Sequence, residues 1–262
     1  MPATVLSKMG TAKVVLNMSD CGHTVIEKYP VGEVEYSFYQ YAATELNQAG
    51  IATPKIFSAD ATLRKLRMEY IPYKVEQVDV AADDAIVMLG RLHCFPANSG
   101  WHYHTHSWSE RALEKSLILL ALPDKSAQQL RLLQKCSDVL FGHKNLISGD
   151  SNAGNWGRRE NGDLVLFDWE RFGKGSPAID LAPLIKGMGT IQMFFDIAER
   201  YCQLAFHDDF SELAKEIAIA KAWIVTEVIV LLDERQKATF PLYLNWYREH
   251  LPGWLDDVAQ ML

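Results

Sequence analysis

In the stretch Ile147-Ser-Gly-Asp-Ser-Asn-Ala-Gly-Asn155, Asp150 and Asn155 fall within one short loop as Asp-x-x-x-x-Asn. A second carboxylate, Asp168, follows directly on the apolar run Leu164–Phe167, and Asn161-Gly162 lies between. Asn-Gly is the preferred two-residue type I′ turn. Trp156–Glu160 and Asp163–Phe167 are therefore expected to form a hairpin that returns Asp168 to the side of Asn155. A carboxylate beside an attacking hydroxyl, with oxygen ligands for a divalent cation next to it, is what phosphoryl transfer from a nucleoside triphosphate needs. Gly-Asp and Gly-Asn pairs alone are ordinary turn chemistry. The ordered combination, continuing through Phe167-Asp-Trp-Glu170 and Gly175-Ser-Pro-Ala-Ile-Asp-Leu-Ala182, is what points to a site.

The elements that must position these residues change character along the chain. Up to residue 72 the sequence reads as β-rich with one helix. Val14–Leu16 and Thr24–Tyr29 are strand-like, and Asn17-Met-Ser-Asp-Cys-Gly22 is the turn between them. Val25, Glu27 and Tyr29 would share one face of the second strand, Ile26 and Lys28 the other. Glu33 to Gln48 reads as a helix stopped by Ala49-Gly50. Pro54-Lys-Ile-Phe57 and Leu63–Tyr70 read as extended. After Pro72 helical periodicity takes over, first in Asp83–Cys94, where Ile86, Leu89 and His93 recur at helical spacing. Ser107-x-x-Glu110 and Ser126-x-x-Gln129 have the form of capping boxes, each opening an apolar-periodic run. The expected class is α+β: a small β-rich lobe over 1–72, an extended hinge near 68–72, and a larger, mainly helical lobe over 73–262 holding the hairpin. The cleft between two such lobes is the default place for a ligand.

The ordered motifs resemble those of the aminoglycoside phosphotransferase and choline kinase superfamily, small-molecule relatives of the protein kinases. That family carries His-Gly-Asp-x-x-x-x-Asn, a hairpin, Ile-Asp-Trp-Glu and Gly-x-Pro-x-x-Asp-Leu-Ala. This chain has Ser148-Gly149-Asp150, Asn155, Phe167-Asp168-Trp169-Glu170 and Gly175 to Ala182 with Pro177 and Asp180 in place. The resemblance implies a bilobal protein-kinase-like fold and a reaction using ATP and Mg2+. It implies Asp150 as catalytic base, Asn155 and Asp168 as magnesium ligands, and Asp180 as support for the catalytic loop. Upstream, Val25-Ile-Glu-Lys28-Tyr29 resembles the strand whose lysine grips the α- and β-phosphates. Glu35-Tyr-Ser-Phe-Tyr39 resembles the helix whose glutamate pairs with that lysine, and Met68-Glu69-Tyr-Ile71 the hinge whose backbone holds adenine. Two positions depart from the pattern. Ser148 stands where the family has a loop-orienting histidine, and Gly22 is alone where a glycine-rich loop would lie.

Other features have competing readings. Lys28 could be a protective lysine on an edge strand, and Glu33 competes with Glu35 for the same helix N-terminus. His102-x-His104-x-His106 would place three imidazoles on one side of an extended segment, a weak metal pattern against a polar loop. Trp246, Tyr247 and Trp254 could box a quaternary ammonium or simply pack.

The chain has 262 residues, 48% of them hydrophobic, and a net charge of −7. That charge argues against nucleic acid as partner, because phosphate backbones need basic surfaces. Acidic and basic side chains balance over residues 1–72, so the negative charge falls on 73–262. This acidic remainder, with Glu170 as one candidate contact, suits a small cationic acceptor. No signal peptide or membrane-spanning run is evident and the four cysteines form no metal or disulfide pattern, so a cytoplasmic protein is expected. The leading expectation is a kinase that moves the γ-phosphate of ATP to a hydroxyl of a small, amine-bearing molecule. The rival is a non-catalytic nucleotide-binding protein of the same fold. Phosphorylation of protein side chains is disfavoured by the short segment from Asp168 to Asp180, which leaves no activation loop.

Overall fold

The structure is a computed structural model, and it describes residues 4–5, 12–18, 22–205 and 209–261. Packing divides the chain into two compact units, Met1–His104 with Leu146–Gly173, and Thr105–Asn145 with Lys174–Leu262. The expected α+β class is observed.

The first unit is built on a five-stranded antiparallel sheet. Its strands are β1 (Thr4–Val5), β2 (Lys13–Met18), β3 (Thr24–Tyr29), β4 (Ile56–Asp60) and β5 (Lys65–Glu69), in the order β1-β2-β3-β5-β4. β2 and β3 pair in unbroken register from Lys13↔Tyr29 to Met18↔Thr24. The turn expected at 17–22 falls partly on residues 19–21, outside the described residues. β3 has β2 on one side and β5 on the other, so Lys28 is on a central strand and the edge-strand reading of it fails. Strict alternation also fails there, because Val25 and Lys28 are both buried although they point to opposite faces.

The helix expected over 33–48 runs through those residues in three sections: α1 (Glu33–Ser37), a π-helical stretch (Phe38–Ala42) and α2 (Ala43–Gln48). The π stretch accompanies burial of two adjacent aromatic side chains, Phe38 and Tyr39. Beyond β6 (Tyr73–Lys74) lies α3 (Asp83–Cys94), with the bounds read from the sequence. α3 packs on β7 (Leu146–Ile147), the strand that feeds the loop of Asp150. The loop then enters β8 (Trp156–Arg158), which pairs with β9 (Leu164–Leu166) as the expected hairpin.

Its turn is different in kind. A type I′ turn needs positive φ at both central residues, and only Gly162, at +89°, has it. Hydrogen bonds from Gly162 N to Arg159 O and from Arg159 N to Asp163 O close a wider connection instead.

The second unit is helical: α4 (Glu110–Leu120), α5 (Asp124–Lys135), α6 (Asp138–Phe141), then, after β10 (Gly173–Lys174), α7 (Ala178–Leu181), α8 (Ile191–Ala205), α9 (Phe210–Glu234) and α10 (Phe240–Val258). α9 is the hub, packed by α4, α5, α6, α7, α8 and α10. Its central part, Ile217–Trp223, is buried on all sides, which explains its near-continuous apolar sequence. Both expected capping boxes are corrected. Ser109, not Ser107, caps α4 by accepting from Ala112 N at 3.2 Å, and Ser126 is buried inside α5, which begins at Asp124. In α10, Tyr247 and Trp254 are buried, Trp254 lies edge-on to Phe194 at 6.3 Å, and Trp246 stacks on His250 at 4.5 Å. These rings pack; they do not form one open box. Among the described residues no helix is long and apolar enough to cross a membrane.

One buried cation in this unit has a measurable signature. Lys221 Nζ donates to the carbonyls of Ala182 and Ile185, each at 2.7 Å, and burial lowers its ammonium to about 7. An unfolded chain holds that proton up to the ordinary value of 10.5. Between these values the unfolded state binds the extra proton, so stability rises with pH; below the lower value the burial penalty is present in full. Urea denaturation of wild type and Lys221→Met should therefore diverge in favour of wild type by roughly 2 kcal/mol between about pH 7 and pH 9, at about 1.4 kcal/mol per unit. Parallel profiles would show that Lys221 does not titrate in the fold.

Candidate active site

The centre of the first unit is an ion triplet assembled from three elements. β3 presents Lys28, whose Nζ lies 2.7 Å from Glu35 Oε1 and 2.6 Å from Asp168 Oδ1. Glu35 is placed by the short connection from β3 into α1, and is 1% exposed. Glu33 points elsewhere, to His102 Nδ1 at 3.1 Å, so Glu35 is the partner of Lys28. Asp168 arrives from the end of the hairpin with φ of +67°, a left-handed conformation that glycine, asparagine and aspartate adopt more readily than other residues. An aromatic stack holds the helix against this segment: Phe38 lies on Trp169 at 4.2 Å and 9°, with Phe172 edge-on at 4.9 Å.

The electrostatics follow from burial and charge together. Burial alone would push the Lys28 ammonium down, but the Glu35 and Asp168 carboxylates outweigh it and hold the group above its ordinary value. Burial pushes the Glu35 carboxyl up against the opposing pull of Lys28, with Asp168 and Glu170 adding to the rise. Burial and the Glu35 and Asp168 charges likewise raise the Tyr39 phenol. Glu170 joins this group: one carboxylate oxygen each from Glu35, Asp168 and Glu170 lie within 4.8 Å of one another.

The loop after β7 carries the second part of the site. Asp150 Oδ1 accepts from Asn152 Nδ2 at 2.5 Å, and its backbone carbonyl accepts from Asn155 Nδ2 at 2.8 Å. Burial raises the Asp150 carboxyl to about 6; the Asn152 hydrogen bond opposes this, Asp168 adds to it, and Arg171 and Asn155 oppose it. Ser148 is buried, and its Oγ faces Asp150 N at a long 3.4 Å. Phe167 N donates to Asn155 O at 2.9 Å, which joins the two ends of the hairpin and sets Asn155 next to the residue preceding Asp168.

The residues expected at the adenine hinge are tied to the same hairpin. Met68 is buried on β5 opposite Ile26, and Ile71 leaves so little room that a Cβ on Gly157 of β8 would meet its Cγ2 at 2.6 Å. Glu69 is gripped by both arms of Arg159, at 2.7 and 2.9 Å, while Arg159 Nη2 also donates to Thr53 O at 3.1 Å. Thus Lys28, Glu35, Met68, Glu69, Ile71, Ser148, Asp150, Asn155, Asp168 and Glu170 all belong to one unit. Asp180 belongs to the other, fully buried in α7. The three histidines separate: His102 meets Glu33, His104 N donates to Phe172 O at 2.7 Å, and His106 packs edge-on to Trp223.

The donor set fits a hard divalent cation. Asn155 and Asp168 offer an amide oxygen and a carboxylate, the ligand types that Mg2+ accepts. With Asn155 Nδ2 spent on a carbonyl, its Oδ1 is the atom left to ligate. Sequence reasoning missed Arg159, Arg171, Asn152 and Trp156, which hold the loop and hairpin in place. The partners of Arg159 and Arg171 lie far off in sequence, and only the adjacency of Arg171 to Asp168-Trp-Glu gave a hint, whereas Asn152 and Trp156 bond to Asp150 and Ser151 within the loop itself.

The comparisons with known proteins agree with this geometry. The model of the phosphotransferase enzyme family matches residues 11–214. No curated protein matches the sequence. Among solved structures, the chain resembles a choline/ethanolamine kinase family protein from Mesorhizobium loti, with TM-score 0.67, 16% identity, and coverage of 100% of this chain and 92% of that one. It resembles the choline kinase of Streptococcus pneumoniae with TM-score 0.65, 15% identity, and coverage of 98% and 93%. A spectinomycin phosphotransferase crystallised with ADP and spectinomycin matches with TM-score 0.66, 12% identity, and coverage of 98% and 93%. At these identities the likeness is one of fold.

The Arg159–Glu69 fork generates a prediction. Burial raises the Glu69 carboxyl, but the Arg159 hydrogen bonds outweigh it and hold the group below its ordinary 4.5. Its stabilisation is then present above that value and lost as pH falls through the folded value. Both side chains are partly solvated, so Arg159→Met is expected to cost only about 1 kcal/mol in urea denaturation at neutral pH. The cost should shrink below about pH 4; a cost independent of pH would mean that the ion pair is not its source.

Proposed function

The chain belongs to the phosphotransferase enzyme family, and from that premise we propose that it transfers the γ-phosphate of ATP to a hydroxyl of a small, amine-bearing molecule. The observation that carries this reading is the 2.6 Å contact between Lys28 and Asp168, groups 140 residues apart in sequence that converge beside the loop of Asp150. A buried lysine next to a carboxylate suited to a metal is the pairing that a triphosphate needs, since one holds phosphate oxygens and the other the ion that bridges them. Nucleotide complexes of proteins with this fold, such as that of the spectinomycin phosphotransferase with ADP, support the assignment of the donor.

In this reading backbone groups at Met68, Glu69 and Ile71 hold adenine, and Lys28, positioned by Glu35, holds the α- and β-phosphates. Asn155 and Asp168 would hold Mg2+, which would supply positive charge to offset the negative charge on the transferred group. Asp150 accepts the proton of the attacking hydroxyl. Its own backbone is fixed by Asn155, so the proposed base and the proposed metal-ligating amide share one loop. Ser148 and Asp180 support that loop, and Glu170 is the acid available to an amine on the acceptor. A cytoplasmic setting, where ATP and magnesium are supplied, belongs to this reading.

The test is a screen of aminoglycosides, amino alcohols and sugars with Mg-ATP, read by mass spectrometry of the product. Wild type should yield a phosphorylated compound. Asp150→Asn should lower turnover by about 10²–10⁴-fold while binding Mg-ATP as before. Undiminished turnover by that variant would remove Asp150 from its role. Tight Mg-ATP binding by wild type without any product would favour the non-catalytic rival, which the departure at Ser148 motivates.

A further inference from the structure

The segment Ser148–Asn152 lies between β7 and the short turn Ala153–Asn155 and joins no strand ladder. Three successive carbonyls in it are met by side chains instead, while Asn152 O accepts from Asn155 N at 2.9 Å. Gly149 O accepts from Arg171 Nε at 3.1 Å, Asp150 O from Asn155 Nδ2 at 2.8 Å, and Ser151 O from Trp156 Nε1 at 2.8 Å. Asn155 and Trp156 act from the loop's own exit. Arg171 reaches back from beyond the hairpin, 22 residues away.

The first of these carbonyls is the consequential one. Gly149 O and Asp150 N belong to a single planar peptide. Gly149 has φ of +75° and no Cβ, so rotation of that plane meets little steric resistance. Ser148 Oγ restrains the N–H end only at 3.4 Å, beyond good hydrogen-bond length. Arg171 restrains the carbonyl end with a charged donor in normal geometry, a stronger bond than a neutral donor makes.

Building on the reaction proposed above, we infer that Arg171 is a positioning residue. Its guanidinium locks the Gly149–Asp150 peptide and so sets the direction in which the Asp150 carboxylate leaves the loop. In this role Arg171 acts through the Gly149 carbonyl, so its removal should misdirect the base without loosening the nucleotide.

Steady-state kinetics with the acceptor found in the screen, or with water as acceptor by ADP release, separates the possibilities. Arg171→Met is expected to lower kcat by about 10–100-fold with the KM for ATP and the Kd for Mg-ATP within about threefold of wild type. Arg171→Lys, whose ammonium can donate to the same carbonyl, should recover part of kcat. If Arg171→Met folds poorly, the same split is read from Arg171→Gln, whose amide is too short to reach the carbonyl. Wild-type kcat in the Met or Gln variant overturns the inference, as does a loss confined to ATP KM. A wild type that binds Mg-ATP yet turns over neither acceptor nor water overturns the proposed reaction, and this role with it.

Discussion

A lysine ammonium that is 8% exposed, with a carboxylate on either side, is the constraint around which the first unit is arranged. Removing such a charge from water costs several kcal/mol, and only partners with good geometry offset it. Lys28 has two, contributed by a helix that follows its own strand and by a hairpin from late in the chain. Strand, helix and hairpin must therefore keep a common alignment or leave a buried ion uncompensated. The Phe38–Trp169 stack serves the same alignment by apolar means, since it joins the helix of Glu35 to the residue after Asp168. Charge and packing here restrain the same two elements.

The hairpin is held on its other side with equal thoroughness. Pairing of β6 with β8 runs Tyr73↔Arg158 and Lys74↔Gly157, Leu166 N donates to Ala52 O at 3.1 Å, and Arg159 spans Glu69 and Thr53. A glycine at 157 is what lets β8 approach Ile71 so closely. The strand proposed for adenine and the residues proposed for the metal thus share a rigid frame. Transfer of a phosphoryl group depends mainly on positioning and electrostatics, and in the proposed reaction such a frame would supply the positioning.

Much of this was legible in advance, and the reasons differ by residue. Asp150, Asn155 and Asp168 could be read because a short hairpin makes their proximity a local matter. α3 was placed to the residue because its periodicity and limits are local too. Glu35 could be separated from Glu33 only by likeness to a family, since both satisfy a helix N-terminus; the fold separates them by sending Glu33 to His102. The caps at Ser107 and Ser126 were misread because each pattern has a neighbour, Ser109 or Asp124, that starts the helix instead. Arg159 carries no local signal, and Arg171 only its place directly after Asp168-Trp-Glu. Their partners are a side chain on β5 and a backbone carbonyl, brought near only when the hairpin docks. The acceptor is illegible because no motif in the chain names one.

The succession of side-chain donors along Gly149, Asp150 and Ser151 has a consequence for how this protein can drift. A loop held by a backbone ladder stands or falls as a unit, whereas here each restraint is one side chain encoded outside the stretch it restrains. The loop can then be loosened in separate steps, by exchanges at 155, 156 or 171, while every acid of the motif is still present.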